Sequence, residues 1–378
     1  MRLKMDWPLF LSILFLVSLG LVFVFSASAV VAESRYASSS HFFFLRQTGS
    51  AVLAFGLLLA LSRWDYRKLM SERWAFMGLG LVIGLLVAVY FLDREHHRWL
   101  RFGPLSFQPS ELAKPALILF LAYYVTARAD EINSGRTLAA PALAIALLAG
   151  LVVKADLGTG VVLMGIAGAI FFVAGMRRRY FQIATVLMGV AVLAAVASEP
   201  YRLLRVIQKF DPDHKILNRI DPNGRIKAYA VSGNAPPDTR YQAEQAVLAI
   251  GAGGAFGAGL MQGNQKLGFL PEAHTDFIFA IIGEELGLVG TLAVLAAFVI
   301  ILLRGLRLYW SALDEFGRYL AVGITVSIVL QAFINISVAV DLGPTKGIPL
   351  PLVSYGGSSL VSSMLMLGLL LNVSQRAR

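Results

Sequence analysis

A chain of 378 residues of which 57% are apolar and only 15% charged, with a mean hydropathy of +0.70, is a polytopic membrane protein. The absence of cysteine excludes disulfides, thiolate metal sites and thiol nucleophiles. A net charge of +10 is what nucleic-acid binding would want, but the basic residues are scattered among short loops, with no interleaved aromatic platform, and nucleic acid is set aside as a partner.

In chain order, MRLKMDWP and the apolar run after it resemble a secretory leader. The run is too long and shows no small-residue cleavage pattern, so it reads as the first span. Stretches of roughly 20 apolar residues then recur to the end. They predict an all-α protein, since a bilayer admits helices but no open sheet. Ten transmembrane spans are expected at about 8–31, 45–62, 75–92, 110–127, 138–153, 158–175, 182–198, 275–303, 320–340 and 354–373. With both termini inside, the inner segments hold 16 Lys and Arg and the short outer loops 7, and the positive-inside rule selects that topology (N-in/C-in). The whole chain, 1–378, reads as one integral membrane domain.

The long connection of about 199–274, between spans seven and eight, is therefore extracytoplasmic. Its first part is amphipathic and basic and is expected to lie along the headgroups. The run NAPPD at 234–238 is a breaker cluster. Beyond it, a glycine-rich apolar stretch to His274 is expected to be ordered, its glycines admitting close backbone approach.

Polar clusters crowd the outer side of this plan. Span eight opens as LPEAHTDF, with Pro271 suited to a first helical position, Glu272 in the first turn, and Asp276 at the water–lipid boundary. Glu284 and Glu285 follow inside the hydrocarbon, where acids are expensive and are functional candidates. Span four opens as FQPSELAK, with Ser110 placed to cap it and Glu111 and Lys114 three apart on one face. The outer hairpin KADLGTG carries Asp156, and DLGPTKGIPLPLVSYGGSSL carries Lys346 and Ser354 in irregular backbone. Such backbone at membrane depth must be buried in protein or line a watery cavity. Convergence of four clusters predicts a cavity open outward. Each cluster also has a plain structural reading, as an ion pair, a cap, a helix contact or a re-entrant turn.

Asp276 and Glu284 would stand about 12 Å apart along a helix, farther than the roughly 5–10 Å of hydrolase carboxylate pairs. Partial desolvation and a neighbouring Glu272 would push Asp276 toward a competent general base. With no nucleotide-binding motif in the chain, the donor is expected to be activated and lipid-linked.

PEAHTDFIFAIIGEELGLVG, FQPSELAK, DLGTG and TKGIPLPLVSYGGSS resemble the SEDS family of bacterial shape, elongation, division and sporulation proteins, and its division branch in particular. Ala155 departs from the family's usual proline before the aspartate. The resemblance implies a peptidoglycan glycosyltransferase in the cytoplasmic membrane, at the division septum, that polymerises lipid II into β-1,4 glycan strands. It implies Asp276 as the required acid, with Glu111, Lys114, Asp156 and Lys346 as matched family positions. Arg98, Arg101, Lys114 and Lys346 become candidate partners for the diphosphate, and His274, Thr275 and Ser354 line the same mouth. A divalent cation could share the diphosphate's charge, although no ligand cluster in the sequence demands one. The implied partners are lipid II, the nascent strand, membrane lipids, a class B transpeptidase and other divisome membrane proteins. Two alternatives stand beside this reading: a lipid II flippase, using Glu284, Glu285, Glu111 and Lys114 as buried polar steps, and a non-catalytic scaffold for the transpeptidase.

Overall fold

The computed structural model describes residues 5–36, 39–93, 97–102, 105–199, 202–203, 206, 239–343 and 347–377. These form eleven α-helices: α1 (Trp7–Tyr36), α2 (Phe42–Arg63), α3 (Glu72–Leu92), α4 (Pro109–Ala127), α5 (Gly135–Ala155), α6 (Leu157–Val173), α7 (Arg178–Ala197), α8 (Thr239–Gly253), α9 (Ile278–Ser311), α10 (Glu315–Ala339) and α11 (Gly357–Arg376). Eight helices are long and apolar enough to span a bilayer. The ionisable α4 and the 17-residue α6 complete the ten expected spans. The basic amphipathic segment after Pro200 and the breaker cluster 234–238 lie outside the described residues.

Local chemistry sets the helix starts. Ser71, Ser134, Asp156 and Asp314 each accept a backbone N–H in the first turn of α3, α5, α6 and α10, satisfying donors that have no partner within the helix. Three expectations about local structure need correction. Ser110 does not cap α4: Pro109 already occupies its first position, and the Ser110 hydroxyl instead accepts from Gln108 Nε2 at 2.8 Å. Pro271 does not take a first helical position: the helix expected from about 275 begins at Ile278, because Glu272 adopts φ +55° and its carbonyl gathers the N–H groups of Thr275, Asp276 and Phe277 into a turn. A small antiparallel hairpin, β1 (Leu100–Phe102) and β2 (Leu105–Phe107), precedes α4 in a loop where no strand was expected. The α8 helix is likewise an addition to the expected elements.

Apolar side chains of α4, α10 and α11, among them Leu117, Leu121, Leu320, Ile324, Leu367 and Leu370, are fully buried at the centre. Between spans in lipid, close packing replaces water expulsion as the source of stability, and small residues permit it. Gly305 of α9 shows this, with Thr325 of α10 filling the space a Cβ would need. No residue of α7 is buried, which leaves its apolar surface to lipid.

One end of the bundle is tied by charges. Arg304 grips Asp6 through two nitrogens at 2.7 and 2.9 Å. The Tyr66 hydroxyl donates to Asp314 at 2.6 Å, with Arg67 Nε 3.0 Å from the same oxygen. Tyr66 N–H also donates to Asn372 Oδ1 near the end of α11. The starts of α1, α3 and α10 meet the ends of α2, α9 and α11 here, as both termini on one side and an even number of spans require.

At the other end α9 is broken. Gly287 has φ +65° and ψ −157°, a conformation essentially confined to glycine. The groups released from the helical ladder find partners in the stretch after α8. Leu288 and Val289 donate to the carbonyls of Gly254 and Ala255, while Ala258 and Gly259 donate to those of Glu284 and Glu285. The expected close approach of the glycine-rich stretch is met here, at Gly253 and Gly257. Glu284 takes three contacts from the N–H groups of Asn264 and Gln265. Glu285 accepts from Lys266 and Ser26, each at 2.6 Å, and from Met261 N–H at 2.9 Å. Both buried acids thus replace backbone bonds that lipid cannot supply.

Candidate functional site

Asp276 lies in the turn before α9, and two segments from elsewhere set its surroundings. The first is α10, whose Gln331 and Asn335 sit one helical turn apart and are almost completely buried. The second is the irregular backbone 347–356, in which Ile348, Leu350, Leu352 and Val353 are buried and Val353 lies against Gly20 of α1. Irregular chain at this depth must find its hydrogen bonds in the protein, and a largely side-chain set of partners supplies them. Ile348 O accepts from Asn335 Nδ2 at 2.7 Å and Pro349 O from Gln331 Nε2 at 2.9 Å. Leu350 N–H donates to Ser354 Oγ at 2.8 Å. Gln47 of α2 donates to Ser354 O and accepts from Gly356 N–H. Tyr355 N–H reaches His274 O at 3.0 Å.

These bonds carry the expected site residues toward one another. Ser354 Oγ donates to Thr275 O, and Asn335 Nδ2 donates to Asp276 O at 2.7 Å as well as to Ile348 O. The Asp276 carboxylate packs on Gly347, where a Cβ would stand 2.8 Å from Oδ2. The His274 ring is enclosed by Phe43 and Tyr355, with centroids 4.9 and 5.7 Å away. Thr275 Oγ1 is exposed and donates to the Glu272 carboxylate at 3.0 Å.

Lys114 reaches the site through Gln331. Its Nζ lies 2.7 Å from Glu111 Oε2 and 2.7 Å from Gln331 Oε1, and both charged side chains are buried. Ser362 of α11 donates to Glu111 O, and Gln108 N–H donates to Ser358 Oγ, joining the starts of α4 and α11. Asp156 caps α6 with Oδ1, while Oδ2 accepts from Thr159 Oγ1 at 2.7 Å and lies 3.8 Å from Arg98. Gly158 beside it packs so closely on Ile348 that a Cβ there would force the Ile348 side chain to move. Asp156 is therefore both a cap and a neighbour of the Ile348 segment.

Asp276, Lys114, Glu111, Asp156, Ser354, His274 and Thr275 are thus linked through α10 and 347–356, with Arg98 at the rim. Arg101 is exposed on β1, and its side chain makes no hydrogen bond or ion pair among the described residues. Lys346 lies outside the described residues. Sequence reading missed Gln47, Gln331 and Asn335. The signal available was two amides four residues apart inside an apolar helix, at a depth where polar groups normally serve the bundle interior. Chemically, the cluster offers a carboxylate at the outer end of the bundle and cationic groups held by acids around it.

Known proteins resemble this chain over nearly its whole length. A family model described as "Cell cycle protein", covering FtsW, RodA and SpoVE, matches residues 7–378. The chain is 37% identical over 386 residues to "Probable peptidoglycan glycosyltransferase FtsW" of Geobacter metallireducens, covering 99% of this chain and 96% of that protein. It is also 37% identical over 378 residues to "Stage V sporulation protein E" of Bacillus subtilis, covering 99% and 98%. Among solved structures, a chain from "Structural coordination of polymerization and crosslinking by a peptidoglycan synthase complex" superposes with a TM-score of 0.74 at 29% identity, covering 98% of each chain. The rod shape determining protein RodA of Thermus thermophilus superposes with a TM-score of 0.67 at 27% identity, covering 99% and 97%. With its whole described bundle matched and its four outer motifs drawn into one cluster, the chain belongs to the FtsW/RodA/SpoVE family, the SEDS proteins.

Proposed function

We propose that this protein polymerises lipid II into β-1,4 glycan strands at the outer face of the bacterial cytoplasmic membrane, with Asp276 as general base. The observation that carries the reading is the setting of Asp276. In a chain of this family, a carboxylate at the outer end of the bundle stands on Gly347, the Lys114–Glu111 pair reaches Pro349 O through Gln331, and Gly158, two residues after Asp156, packs on the Ile348 side chain. Asp276 takes the proton of the acceptor sugar's 4-hydroxyl as O4 attacks the anomeric carbon of the growing strand. The C1–O4 bond forms as the bond from C1 to the diphosphate oxygen breaks. Undecaprenyl diphosphate leaves with the electron pair, and a single displacement turns an α-linked donor into a β link. Charge grows on the diphosphate in the transition state, where fixed cations act most strongly. Arg98 and Lys114 are candidates for that role, together with Arg101 on β1 and with Lys346, which lies outside the described residues. Among the described residues no three His, Asp or Glu side chains gather into a metal site.

Of the four polar steps a flippase would use, Glu284 and Glu285 are taken up by backbone N–H groups, Lys266 and Ser26, which favours the polymerase reading. A class B transpeptidase is the proposed partner, supported by the similarity to a chain of a complex that coordinates polymerisation with crosslinking. Action at the division septum is supported by the family's description as cell cycle proteins. The test is polymerisation of purified lipid II by the full-length protein with its cognate transpeptidase. Asp276→Asn should lower turnover by about 10²–10⁴, the usual span for a general base, while leaving folding and the complex intact. Equal polymer from wild type and Asp276→Asn would remove Asp276 as the base.

A further inference from the structure

Asp276 stands outside the helical ladder of α9, so regular secondary structure does not fix it. What holds its carbonyl is a side chain of another helix. Asn335 Nδ2 donates at 2.7 Å to Asp276 O and at 2.7 Å to Ile348 O, using both hydrogens of the amide on segments 59 and 13 residues away. The amide's orientation follows from its partners, since rotating it would press Oδ1 against two carbonyl oxygens. Among the described residues that leaves Oδ1 buried with no hydrogen-bond partner. An acceptor left unmade in the interior opposes folding and asks for a reason. Gln331, one turn earlier, shows the contrast: its oxygen accepts from Lys114 and its nitrogen donates to Pro349 O.

The two carbonyls that Asn335 joins belong to one closed circuit. Ile348 follows Gly347, and Gly347 is the surface on which the Asp276 carboxylate rests, with a Cβ there only 2.8 Å from Oδ2 and 3.7 Å from Oδ1. Holding Asp276 O and Ile348 O to a single nitrogen therefore sets the distance between the carboxylate and the backbone beneath it. We propose that Asn335 is a positioning residue for the Asp276 carboxylate, acting with Gly347 as the bare backbone against which that carboxylate is placed. A base displaced by about 1 Å loses on the order of 10²-fold in rate. Two donors on one neutral side chain supply this placement where a helix does not, and the unmade acceptor accompanies that choice.

The inference rests on the reading of Asp276 as the base, and its test separates the two. Full-length wild type, Asp276→Asn, Asn335→Leu, Asn335→Asp and Gly347→Ala are compared in lipid II polymerisation with the transpeptidase present, with thermal unfolding measured for each. Asn335→Leu and Gly347→Ala should lower kcat by about 10²-fold with KM changed less than about 3-fold, the pattern of a misplaced base. Asn335→Asp should keep part of its turnover at low pH, where the buried carboxyl is protonated and donates one bond. It should lose that turnover as pH rises and the carboxyl ionises against two carbonyls, an alkaline limb foreign to the wild type. Wild-type kcat in folded Asn335→Leu, or a loss confined to KM, overturns the inference. Should Asn335→Leu not fold, Gly347→Ala decides alone, because it leaves the amide in place, and unchanged kcat there overturns it. Wild-type activity in Asp276→Asn would sink the base reading and this inference together, whereas Asp276-dependent polymer with normal kcat in Asn335→Leu sinks only this one.

Discussion

Among the described residues, two lysine–glutamate pairs are buried: Lys114 with Glu111 at 2.7 Å and Lys266 with Glu285 at 2.6 Å. Their chemistry is the same and their surroundings differ. Lys266 and Glu285 share Ser26, and Glu285 also takes Met261 N–H, so the network closes on itself and welds the stretch after α8 to the break in α9. Lys114 instead passes a hydrogen bond to Gln331, which holds Pro349 O in the segment beneath Asp276. One pair ends in structure and the other continues into the site. A buried pair is weak evidence for stability by itself, because desolvation offsets much of the attraction. Where its remaining bonds lead is the better guide to its role.

The largest effects should come from breaking each pair. Lys266→Met strands Glu285, and Lys114→Met strands Glu111, each at a cost on the order of 3–5 kcal/mol, read as a lowered unfolding temperature in detergent. The second substitution then separates the two regions. Lys266→Met with Glu285→Gln should regain most of the stability and keep polymerisation per folded molecule. Lys114→Met with Glu111→Gln should regain stability and stay slow. A site-pair double variant with normal turnover would erase the contrast.

Gly287→Ala probes the weld without touching a charge. The backbone conformation there disfavours any side chain, and a Cβ would lie 2.4 Å from Gly257 N. A loss of at least about 1–3 kcal/mol is expected, with turnover of the surviving folded protein near normal. A fall in turnover much greater than the fall in folded fraction would tie the weld to the site.

The smallest effect should come at the cytoplasmic end, where Tyr66→Phe removes the hydroxyl from Asp314 for about 1 kcal/mol. This contact is only partly buried, with Arg67 exposed beside it, and should weaken with salt more than the buried pairs. Its pH dependence has two limbs. Burial pushes the Asp314 carboxyl upward, but the Tyr66 hydroxyl, Gly317 N–H and Arg67 together hold it below its ordinary value of 3.8. Its stabilisation is therefore present above that value and lost as pH falls below it. Burial first, and then Asp314, push the Tyr66 phenol well above its ordinary 10.0, so its share is present below that pH and lost as pH rises past the raised value. Thermal unfolding against pH should show the alkaline limb in wild type and its loss in Tyr66→Phe.

Much of this protein was legible in its residues alone. The ten spans and their inward termini follow from apolar runs and from where Lys and Arg fall, because a bilayer selects on length and charge one segment at a time. Asp156, with the backbone donors of Gly158 and Thr159 just after it, announces its cap locally, and Glu111 with Lys114 announces a pair by its spacing. What the chain could not disclose by itself is which distant groups meet. Glu284 and Glu285 look as functional as Asp276 when read in sequence, and only the stretch folded back from α8 shows that they serve the broken helix. Gln47, Gln331 and Asn335 carry no motif, since their partners are carbonyls from segments far along the chain. The turn that frees Asp276 from α9 and the bare backbone of Gly347 beneath it are likewise products of packing. Local signals depend on neighbours within a turn or two, whereas the placing of a carboxylate depends on several chain segments closing at once.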